Sequence, residues 1–586
     1  MTVPPQLLGN TNIQEFDVIV IGSGAGGSSI AAMLAKWGKK VLILEAGPNY
    51  FLGLDNADST QLSSVFSNDE LKLVRRRLLM PDPLIEPRTF RSQAGDSPSS
   101  PDDVNYLPKT VGGAAGHADF KTPRFATFDF QLGKLRGLPG MGNTSFADWP
   151  VSYDDLAPFY DYIEKLLGVQ GPDNTFAPGT PPGILRADGY PQAPGSPMYG
   201  PALVADAAKR LNYRPFPFPA GILSKDYNGR PACRDCGFCG NYGCPINAKS
   251  APGVTTLRQA LLTNNCLVRA ETRAVRLLFN GATNSIDGVE VIPPEGCDPQ
   301  KRPTFKAGAY VLAASPIESA RLLLLSDPIG KLGNSSDQVG RNLTFHYQTV
   351  VAGVFEQRLH PYRGRSVTHG MADFRGDPND LVYHPLGGLV EFGVSIEPIF
   401  EASTYMEQMR LRGSELWKIL KASPLRDRLM TLTMHGEDAP QHTNRVELDD
   451  EVRDIDGLPV PRITYSNHNY ELAAGRFYQP KLMDLLGKAG AKYGFTVTPP
   501  AVPNTRHVMG TLRFGIDPKT SVCAPNGQFH DIGNLYAADG SLFPTSSGCN
   551  PTLTIMALAT RIGAQMLFPA NPTQALQAPP APAPVA

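Results

Sequence analysis

A glycine-rich turn between an apolar run and a helical segment constrains the fold of this chain more than any other feature. Residues 16–21 form an apolar, β-branched run, and Gly22, Gly24 and Gly27 follow it in the spacing G-x-G-x-x-G. This order predicts a strand, a tight turn and a helix. Gly22 and Gly24 let the backbone approach a pyrophosphate, and Gly27 lets the helix pack closely against the strand. The phosphate charge would then lie at the helix N-terminus.

A second apolar run strengthens the prediction of a dinucleotide site. Residues 41–44 predict another strand, and Glu45 follows it where the ribose hydroxyls of a dinucleotide need a hydrogen-bond acceptor. A glycine-rich turn in some other α/β fold is the alternative for the first motif alone. Further along, Gly112, Gly113 and His117 lie in a segment of small residues, which indicates backbone that runs against a flat ligand.

Length and charge narrow the classes of protein and partner. A chain of 586 residues exceeds one compact core, so we expect two or more domains. The net charge of −1 comes without a basic run, which argues against nucleic acid and anionic membrane surfaces as partners. No apolar run approaches the ~18 residues of a membrane span, and the N-terminus shows no export signal. We therefore expect a cytoplasmic protein, or a periplasmic one exported together with a signal-bearing partner.

The second strong pattern lies near the C-terminus, in residues 506–511, 534–545 and 548–554. Together with the glycine turn, Glu45 and several shorter motifs, these segments resemble the glucose-methanol-choline (GMC) oxidoreductases, flavoenzymes that oxidise alcohols. The shorter motifs are residues 112–113, 148–150, 311–314, 317–318 and 339–343. The resemblance spans most of the chain, and its motifs are specific in combination although no single one is.

The resemblance implies a fold and a division into domains. We expect an α/β, Rossmann-type FAD-binding domain interleaved with an α+β substrate domain on a large antiparallel sheet. The predicted FAD-binding domain comprises residues 14–50, 105–145, 225–340 and 501–568. The predicted substrate-side domain comprises residues 51–104, 146–224 and 341–500. Residues 569–586 are rich in Pro and Ala without core-forming side chains, and we predict a disordered tail there.

The resemblance also implies roles for individual residues. It makes His507 and Asn550 the catalytic pair beside the flavin, and Asp539 and the backbone of Val268 cofactor contacts. The chemistry agrees, because hydride leaves an alcohol carbon only as the hydroxyl loses its proton, and imidazole is a base near neutral pH. Asn550 can hold the same oxygen through its amide without competing for the proton. For His507 taken alone, an ordinary core or surface histidine is the alternative.

His117 raises the question of how the flavin is attached. Gly112 and Gly113 precede it, and Thr-Pro-Arg-Phe follows at residues 122–125. This arrangement resembles that of the pyranose oxidases, in which a histidine bonds covalently to the flavin. Other relatives with a histidine at this spacing bind FAD without a covalent bond, so both modes of attachment remain open.

Four cysteines within twelve residues predict a metal or cluster site. Cys233, Cys236, Cys239 and Cys244 follow the pattern C-x2-C-x2-C-x4-C and precede a proline. Thiolates at this spacing can hold an iron–sulfur cluster; a four-thiolate zinc site and metal-free thiols are the alternatives. The surrounding sequence resembles flavoprotein subunits of bacterial FAD-dependent glucose, fructose and gluconate dehydrogenases. That likeness implies a three-iron cluster, a small subunit and a cytochrome acceptor, although the paired Cys-Cys of the glucose enzyme is absent here.

These inferences predict an FAD-dependent dehydrogenase that oxidises a CH–OH group of a sugar, a glycoside, a sugar acid or a related alcohol. Hydride would pass to flavin N5, His507 would take the hydroxyl proton, and electrons would leave through the cysteine site. One alternative is an oxidase that forms hydrogen peroxide from oxygen. Another is an electron-transfer or assembly subunit, against which the His507 and Asn550 motifs argue.

Overall fold

A computed structural model describes most of the chain. The described residues are 6–56, 63–64, 83, 85–99, 107–172, 189–236, 239–240, 242–294, 302–327, 332–361, 363–377, 379, 385–393, 405–406, 410–422, 426–497, 503 and 505–579. Much of the predicted segment 51–104 therefore lies outside the described residues. Among the described helices, none is long and apolar enough to cross a membrane.

The described part of the chain contains both helices and strands. The described helices are α1 (Ala25–Lys36), α2 (Tyr153–Leu167), α3 (Tyr199–Arg210), α4 (Thr256–Leu262), α5 (Pro316–Ser326), α6 (Gly413–Ala422), α7 (Asn469–Lys488) and α8 (Thr552–Leu567). The described strands are β1 (Leu7–Gly9), β2 (Phe16–Ile21), β3 (Val41–Leu44), β4 (Phe51–Leu52), β5 (Ser63–Ser64), β6 (Thr89–Arg91), β7 (Pro215–Pro217), β8 (Cys266–Arg269), β9 (Arg273–Asn280), β10 (Ser285–Ile292), β11 (Thr304–Phe305), β12 (Ala307–Leu312), β13 (Tyr347–Phe355), β14 (His369–Met371), β15 (Gly388–Phe392), β16 (Leu429–Gly436), β17 (Arg445–Arg453), β18 (Pro459–Thr464), β19 (Ala491–Val497) and β20 (Leu535–Ala537).

One sheet carries the glycine turn and has the strand order β1-β8-β3-β2-β12-β20. The neighbours from β8 to β20 pair in parallel, with Val20 between Ile43 and Val311, and β1 adds an antiparallel edge. Strands β2 and β3 are apolar and buried almost throughout, as expected for a parallel sheet with both faces covered. This arrangement confirms the Rossmann-type fold, and it begins at residue 7 rather than at residue 14.

The second large sheet is antiparallel, with the order β19-β13-β16-β15-β14-β7. Its strands come from residues 215–217 and from residues 347–497, so this sheet confirms the antiparallel substrate-side layer. Smaller sheets, β11-β10-β9 and β17-β18-β6, lie beside the two large ones. Because the chain leaves the first sheet after β12 and returns to it only at β20, residues far apart in sequence meet between the sheets.

The predicted disordered tail is wrong for residues 569–579. Pro572–Leu576 forms a short 3₁₀ helix, and Ala575 is fully buried. The Ala575 carbonyl accepts a hydrogen bond from Trp37 Nε1 at 3.0 Å. The Pro/Ala composition concealed this segment because its anchor is a small side chain and a backbone carbonyl docked at the end of α1. Residues 580–586 lie outside the described part.

Candidate active site

A cavity of about 480 Å³ reaches from the glycine turn to the C-terminal block. It brings together most of the residues predicted from the sequence to bind the cofactor or act in catalysis. Those that line it are Gly22, Gly24, Glu45, Gly113, His117, His507, Asp539 and Asn550. A ligand held at the turn can therefore extend to the side chains of the C-terminal block.

Glycines bring the backbone close together at the turn. Gly22 has φ +101°, and a Cβ there would lie 2.4 Å from the carbonyl oxygen of Ala313. A Cβ on Gly27 would lie 2.0 Å from the oxygen of Gly22, which agrees with the close packing of α1 against β2. Gly113 approaches Gly24 so closely that its Cβ would meet the Gly24 Cα at 2.7 Å. The two glycine segments thus form one wall of the cavity.

Glu45 helps to hold the two glycine segments together through hydrogen bonds to Ser23. Its Oε2 accepts hydrogen bonds from Ser23 N at 3.0 Å and Ser23 Oγ at 2.6 Å, and its Oε1 accepts one from Gly47 N at 2.8 Å. Gly112 N in turn donates to Ser23 Oγ at 2.9 Å. A carboxylate offers about four acceptor positions, so this buried side chain keeps acceptor capacity for a ribose hydroxyl.

We expect Gly113→Val to yield protein with little or no bound flavin. The residue has φ +61°, which a β-branched residue adopts only under strain, and its Cβ would press on Gly24. The ratio of flavin absorbance to protein absorbance in the purified variant measures the effect. Gly116→Ala is the matched control, because a Cβ there meets no atom within 4 Å. A Gly113→Val protein with a full complement of flavin would contradict the prediction.

Asp539 and Val268 have different positions. Asp539 lines the cavity, and its carboxylate accepts hydrogen bonds from Ser315 N at 2.9 Å and Ser319 Oγ at 2.8 Å. Val268 is instead fully buried in β8, paired with Ile43, and does not line the cavity. The residues of this part of the chain that line the cavity are Arg273 and Ala274, at the start of β9. The predicted contact of the Val268 backbone with the adenine stays a prediction.

The antiparallel sheet supplies side chains that the sequence analysis did not identify. His435 in β16 lies opposite Gln348 in β13, so the two side chains share a face. Glu391 in β15 lies opposite Thr433, two residues before His435, and so points to the same face. His346, two residues before Gln348, extends this row. A single sheet face thus presents two histidines and an acid to the loops that carry His507 and Asn550.

Glu391 is a buried acid that contacts a lysine and a histidine. Its Oε2 lies 2.6 Å from Lys121 Nζ, and its Oε1 lies 3.1 Å from His435 Nε2. Asn550 Nδ2 donates to the same Oε1 at 3.0 Å. Burial alone would raise the pKa of Glu391, but Lys121 and His435 hold it well below its ordinary value. Asn550 is therefore anchored by a carboxylate that remains ionised.

His507 lies against two other imidazoles. Its Nδ1 is 2.8 Å from Nδ1 of His346, whose Nε2 is 3.1 Å from the carbonyl oxygen of Ser546. Ligand atoms of His346, His435 and His507 come within 4.8 Å of one another, but these hydrogen bonds already engage His346 at both nitrogens. Burial, together with the neighbouring imidazoles, holds the pKa of His507 well below its ordinary value. The half-buried ring is thus neutral around pH 7.

The predicted cysteine site lies beside this cavity. Asp119 lines the cavity, and a Cβ on Gly240 would meet its Oδ1 at 3.1 Å, so the cysteine loop packs directly on Asp119. Burial raises the pKa of Cys233 to about 11 and that of Cys239 to about 12, and a nearby carboxylate, Asp235 or Asp119, adds to each shift ahead of the other cysteines. Cys236 is exposed. In the described residues no three cysteine sulfurs lie within 4.8 Å of one another, so this conformation does not form the compact thiolate set that a single zinc ion requires.

A buried acid behind the site makes stability depend on pH. Glu437 is almost fully buried and accepts hydrogen bonds from Ser546 Oγ and Ser547 N, each at 3.0 Å. Burial and the nearby Asp129 raise the pKa of Glu437 to about 8. Between pH 6.5 and 8 the folded chain therefore keeps a proton that the unfolded chain has lost, so stability must fall as the pH rises.

We expect the melting temperature to fall between pH 6.5 and 8, with less fall in Glu437→Gln. The contribution of one such group is about 1.4 kcal/mol per pH unit. The buried His346, whose pKa is lowered to about 3 by burial, acts in the opposite direction only below about pH 6.5, where an unfolded histidine takes up a proton. Parallel melting curves for wild type and Glu437→Gln across this window would contradict the assignment.

Fold and site together define a class, a dinucleotide-dependent oxidoreductase whose cavity ends at a histidine and an asparagine. A model for an NAD(P)-binding Rossmann-like domain matches residues 20–58. Two models described as GMC oxidoreductase match residues 146–348 and 440–559. The chain belongs to the GMC oxidoreductase family, which implies an FAD cofactor. It is an oxidoreductase that acts on CH–OH donors.

Named relatives cover nearly the whole chain. It is 29% identical over 574 residues to 2-methyl-1,2-propanediol dehydrogenase from Mycolicibacterium austroafricanum, covering 94% of this chain and 95% of that one. It is 27% identical over 569 residues to the fructose dehydrogenase large subunit from Gluconobacter japonicus, covering 93% and 96%. The solved structure of formate oxidase from Aspergillus oryzae matches with a TM-score of 0.63 and 16% identity, covering 97% and 100%, which supports the fold. The second relative confirms the predicted likeness to sugar dehydrogenase flavoproteins.

A simple sequence signal could have identified Glu391. It lies in the otherwise apolar run of residues 388–392, and a charge in a buried strand is costly unless it is paired. The pattern therefore predicts that a cation pairs with Glu391, although it does not identify Lys121 as that cation. His346 and His435 carried no comparable signal, because isolated histidines are common in cores.

Proposed function

We propose that this protein is an FAD-dependent dehydrogenase that oxidises a CH–OH group of a sugar, a glycoside, a sugar acid or a related alcohol. The position of His507 carries the proposal. Its ring lines the cavity that begins at the glycine turn, and its Nε2 has no hydrogen-bond partner among the described residues. A substrate hydroxyl can therefore give its proton to this nitrogen. FAD, when bound, accepts the hydride from the same carbon.

The neighbouring side chains fit these roles. Because the pKa of His507 is lowered by burial, its imidazole is in the proton-accepting form at neutral pH. Asn550 gives one N–H to Glu391, and its second N–H is available to hold the substrate oxygen. Lys121 and Glu391 keep that amide in place through their ion pair.

The names of two relatives support the substrate class. One relative is a dehydrogenase of a small diol and the other of fructose. Both compounds carry several hydroxyl groups. We therefore place polyols and sugars first among the substrates of this chain.

An anaerobic substrate screen tests the proposal. The purified holoenzyme is mixed without oxygen with aldoses, ketoses, glycosides, sugar acids, polyols and simple alcohols, and loss of the oxidised flavin band is followed. We expect reduction by at least one compound of the sugar or polyol group. A bound flavin that none of them reduces would overturn the proposal and favour an electron-transfer or assembly subunit. Hydrogen peroxide formed in air at the rate of substrate loss would identify an oxidase instead of a dehydrogenase.

The cysteine site would carry electrons away from the flavin. Its loop packs on Asp119 at the cavity wall, and Lys249 Nζ donates a hydrogen bond to the Cys239 carbonyl at 2.8 Å. An iron–sulfur cluster, when bound by Cys233, Cys236, Cys239 and Cys244, would pass the electrons to an acceptor such as a cytochrome. The relative that is named a large subunit makes a small partner subunit part of this proposal.

Metal analysis tests whether electrons leave the flavin through the cysteine site. Protein purified anaerobically is assayed for iron, acid-labile sulfide and zinc. Iron and sulfide in cluster stoichiometry would support electron transfer through this loop, whereas one zinc per chain without iron would refute it.

Acid precipitation tests whether the flavin is covalently attached, because release of all yellow colour from the precipitated protein excludes a covalent bond to His117.

The location of the protein stays a prediction, either cytoplasmic or periplasmic by export with a signal-bearing partner. Cell fractionation tests it.

A further inference from the structure

His346 occupies a position that no motif assigned to it. It directly precedes β13, and its imidazole lies between His507 and the backbone of Ser546. The two Nδ1 atoms are 2.8 Å apart, and Nε2 of His346 is 3.1 Å from the Ser546 carbonyl oxygen. The ring is almost fully buried, so water does not compete for either contact.

The donor and the acceptor in each of these two hydrogen bonds follow from the Ser546 carbonyl oxygen, which contacts Nε2 of His346. A carbonyl oxygen only accepts, so the proton of this contact must be on Nε2 of His346. His346 is neutral, because burial and the neighbouring His435 lower its pKa to about 3. Its Nδ1 therefore bears a lone pair and accepts, and the proton between the two rings belongs to Nδ1 of His507. In neutral His507, Nε2 is then left without a proton.

We propose that His346 is a positioning residue that fixes the tautomer of His507, so that Nε2 of His507 is the proton acceptor at the cavity. The proposal rests on the proposed function, in which His507 is the base. When the substrate O–H bond breaks, its proton binds Nε2 of His507, while Nδ1 keeps its own proton in the contact with His346. FAD, when bound, would accept the hydride from the carbon as the carbon–oxygen double bond forms.

A neutral partner has a consequence that a carboxylate would not have. The titratable and charged groups that face His507 are His346, His435, Glu391 and Lys121. His346 orients the ring without adding a negative charge beside it. The base is therefore kept unprotonated at neutral pH, and the orientation comes from the acceptor lone pair alone.

Three substitutions of His346 separate the effect of its hydrogen-bond acceptor on His507 from the effect of its lack of charge. His346→Asn places an amide oxygen near the former Nδ1, His346→Leu offers no acceptor, and His346→Asp adds a charged one. In anaerobic flavin reduction we expect the Leu variant to lose about 10²-fold or more in rate, since a wrong tautomer cripples a catalytic imidazole. The Asn variant should keep the rate within about 10-fold. The Asp variant should move the acid limb of the pH profile to higher pH, because its charge raises the pKa of His507.

A readout independent of turnover comes from nitrogen-15 NMR of histidine-labelled holoenzyme. The signals of His507, assigned by their loss in His507→Asn, should show a protonated Nδ1 and an unprotonated Nε2. His369→Leu, which removes a half-buried histidine from β14 outside the cavity lining, is the matched control and should leave rate and pH profile unchanged.

The outcomes distinguish this inference from the function on which it rests. If His507→Ala is impaired but His346→Leu keeps wild-type rate and pH profile, the positioning role is refuted and the proposed function stands. If His507→Ala is not impaired, the proposed function fails, and the NMR signals still judge the hydrogen bond. If His346→Leu does not fold, the Asn and Asp profiles decide, and identical profiles would refute the role. A protonated Nε2 in wild-type His507 would refute it directly.

Discussion

Replacing His507 with alanine is expected to slow anaerobic flavin reduction by substrate roughly 10²–10⁴-fold, the range typical of a lost acid or base. The physical reason is the position of the ring, which lines the cavity and turns Nδ1 toward His346. In its absence, the hydroxyl proton has no acceptor at Nε2 when hydride leaves. Stopped-flow absorbance at the flavin band measures the reduction rate directly.

Bound FAD should be unchanged in this variant, because Glu45 and the glycine turn at the other end of the cavity do not contact His507. The flavin-to-protein ratio checks that point. His530→Ala is a suitable control, since His530 belongs to the same C-terminal segment but contacts Ser521 and does not line the cavity. Turnover close to wild type in His507→Ala would remove the residue from the mechanism.

Lys121→Met is expected to reduce the free energy of unfolding by about 3–5 kcal/mol, the cost of leaving one buried charge without its partner. Glu391 is 3% exposed, and Lys121 is its nearest cation at 2.6 Å. Asp119, which lies 3.1 Å from the same ammonium, loses its cation as well. Denaturant unfolding measures the change, and the rate of flavin reduction should also fall because Asn550 is held by Glu391.

The double variant Lys121→Met/Glu391→Gln tests the explanation. A neutral amide at residue 391 no longer needs a cation, so much of the lost stability should return. Lys209→Met serves as control, because the pair of Lys209 with Asp206 is about two-thirds exposed on both sides and such pairs contribute little. A double variant no more stable than Lys121→Met would show that the buried charge of Glu391 is not the cause.

Much of the fold could be predicted because its signals are local. The parallel strands are continuous apolar runs, and the turn after β2 needs glycine at Gly22, where the backbone has φ +101°. Both features are visible within a few residues of sequence. The prediction of a disordered tail was wrong where the signal was weak, since the small side chain of Ala575 gave no sign of burial.

The site could be predicted only in part. His507 and Asn550 follow motifs that resemble those of a known family. Glu391, Lys121 and His346 come from three different segments, and their roles depend on strand register. A shift of one residue in β15 would turn Glu391 to the other face of the sheet, and no local pattern specifies that register.

The sequence by itself determined the dinucleotide turn, because backbone conformation and burial there follow from short-range patterns of glycine and apolar residues. The large antiparallel sheet and the roles of His507 and Asn550 were implied by the resemblance to a known family. Only the tertiary structure decided which side chains surround His507 and which of its nitrogens is open to the cavity. Those properties depend on hydrogen bonds about 3 Å long between segments far apart in sequence, such as His346 and Ser546, which are 200 residues apart. Contacts of that kind exist only once both sheets have packed.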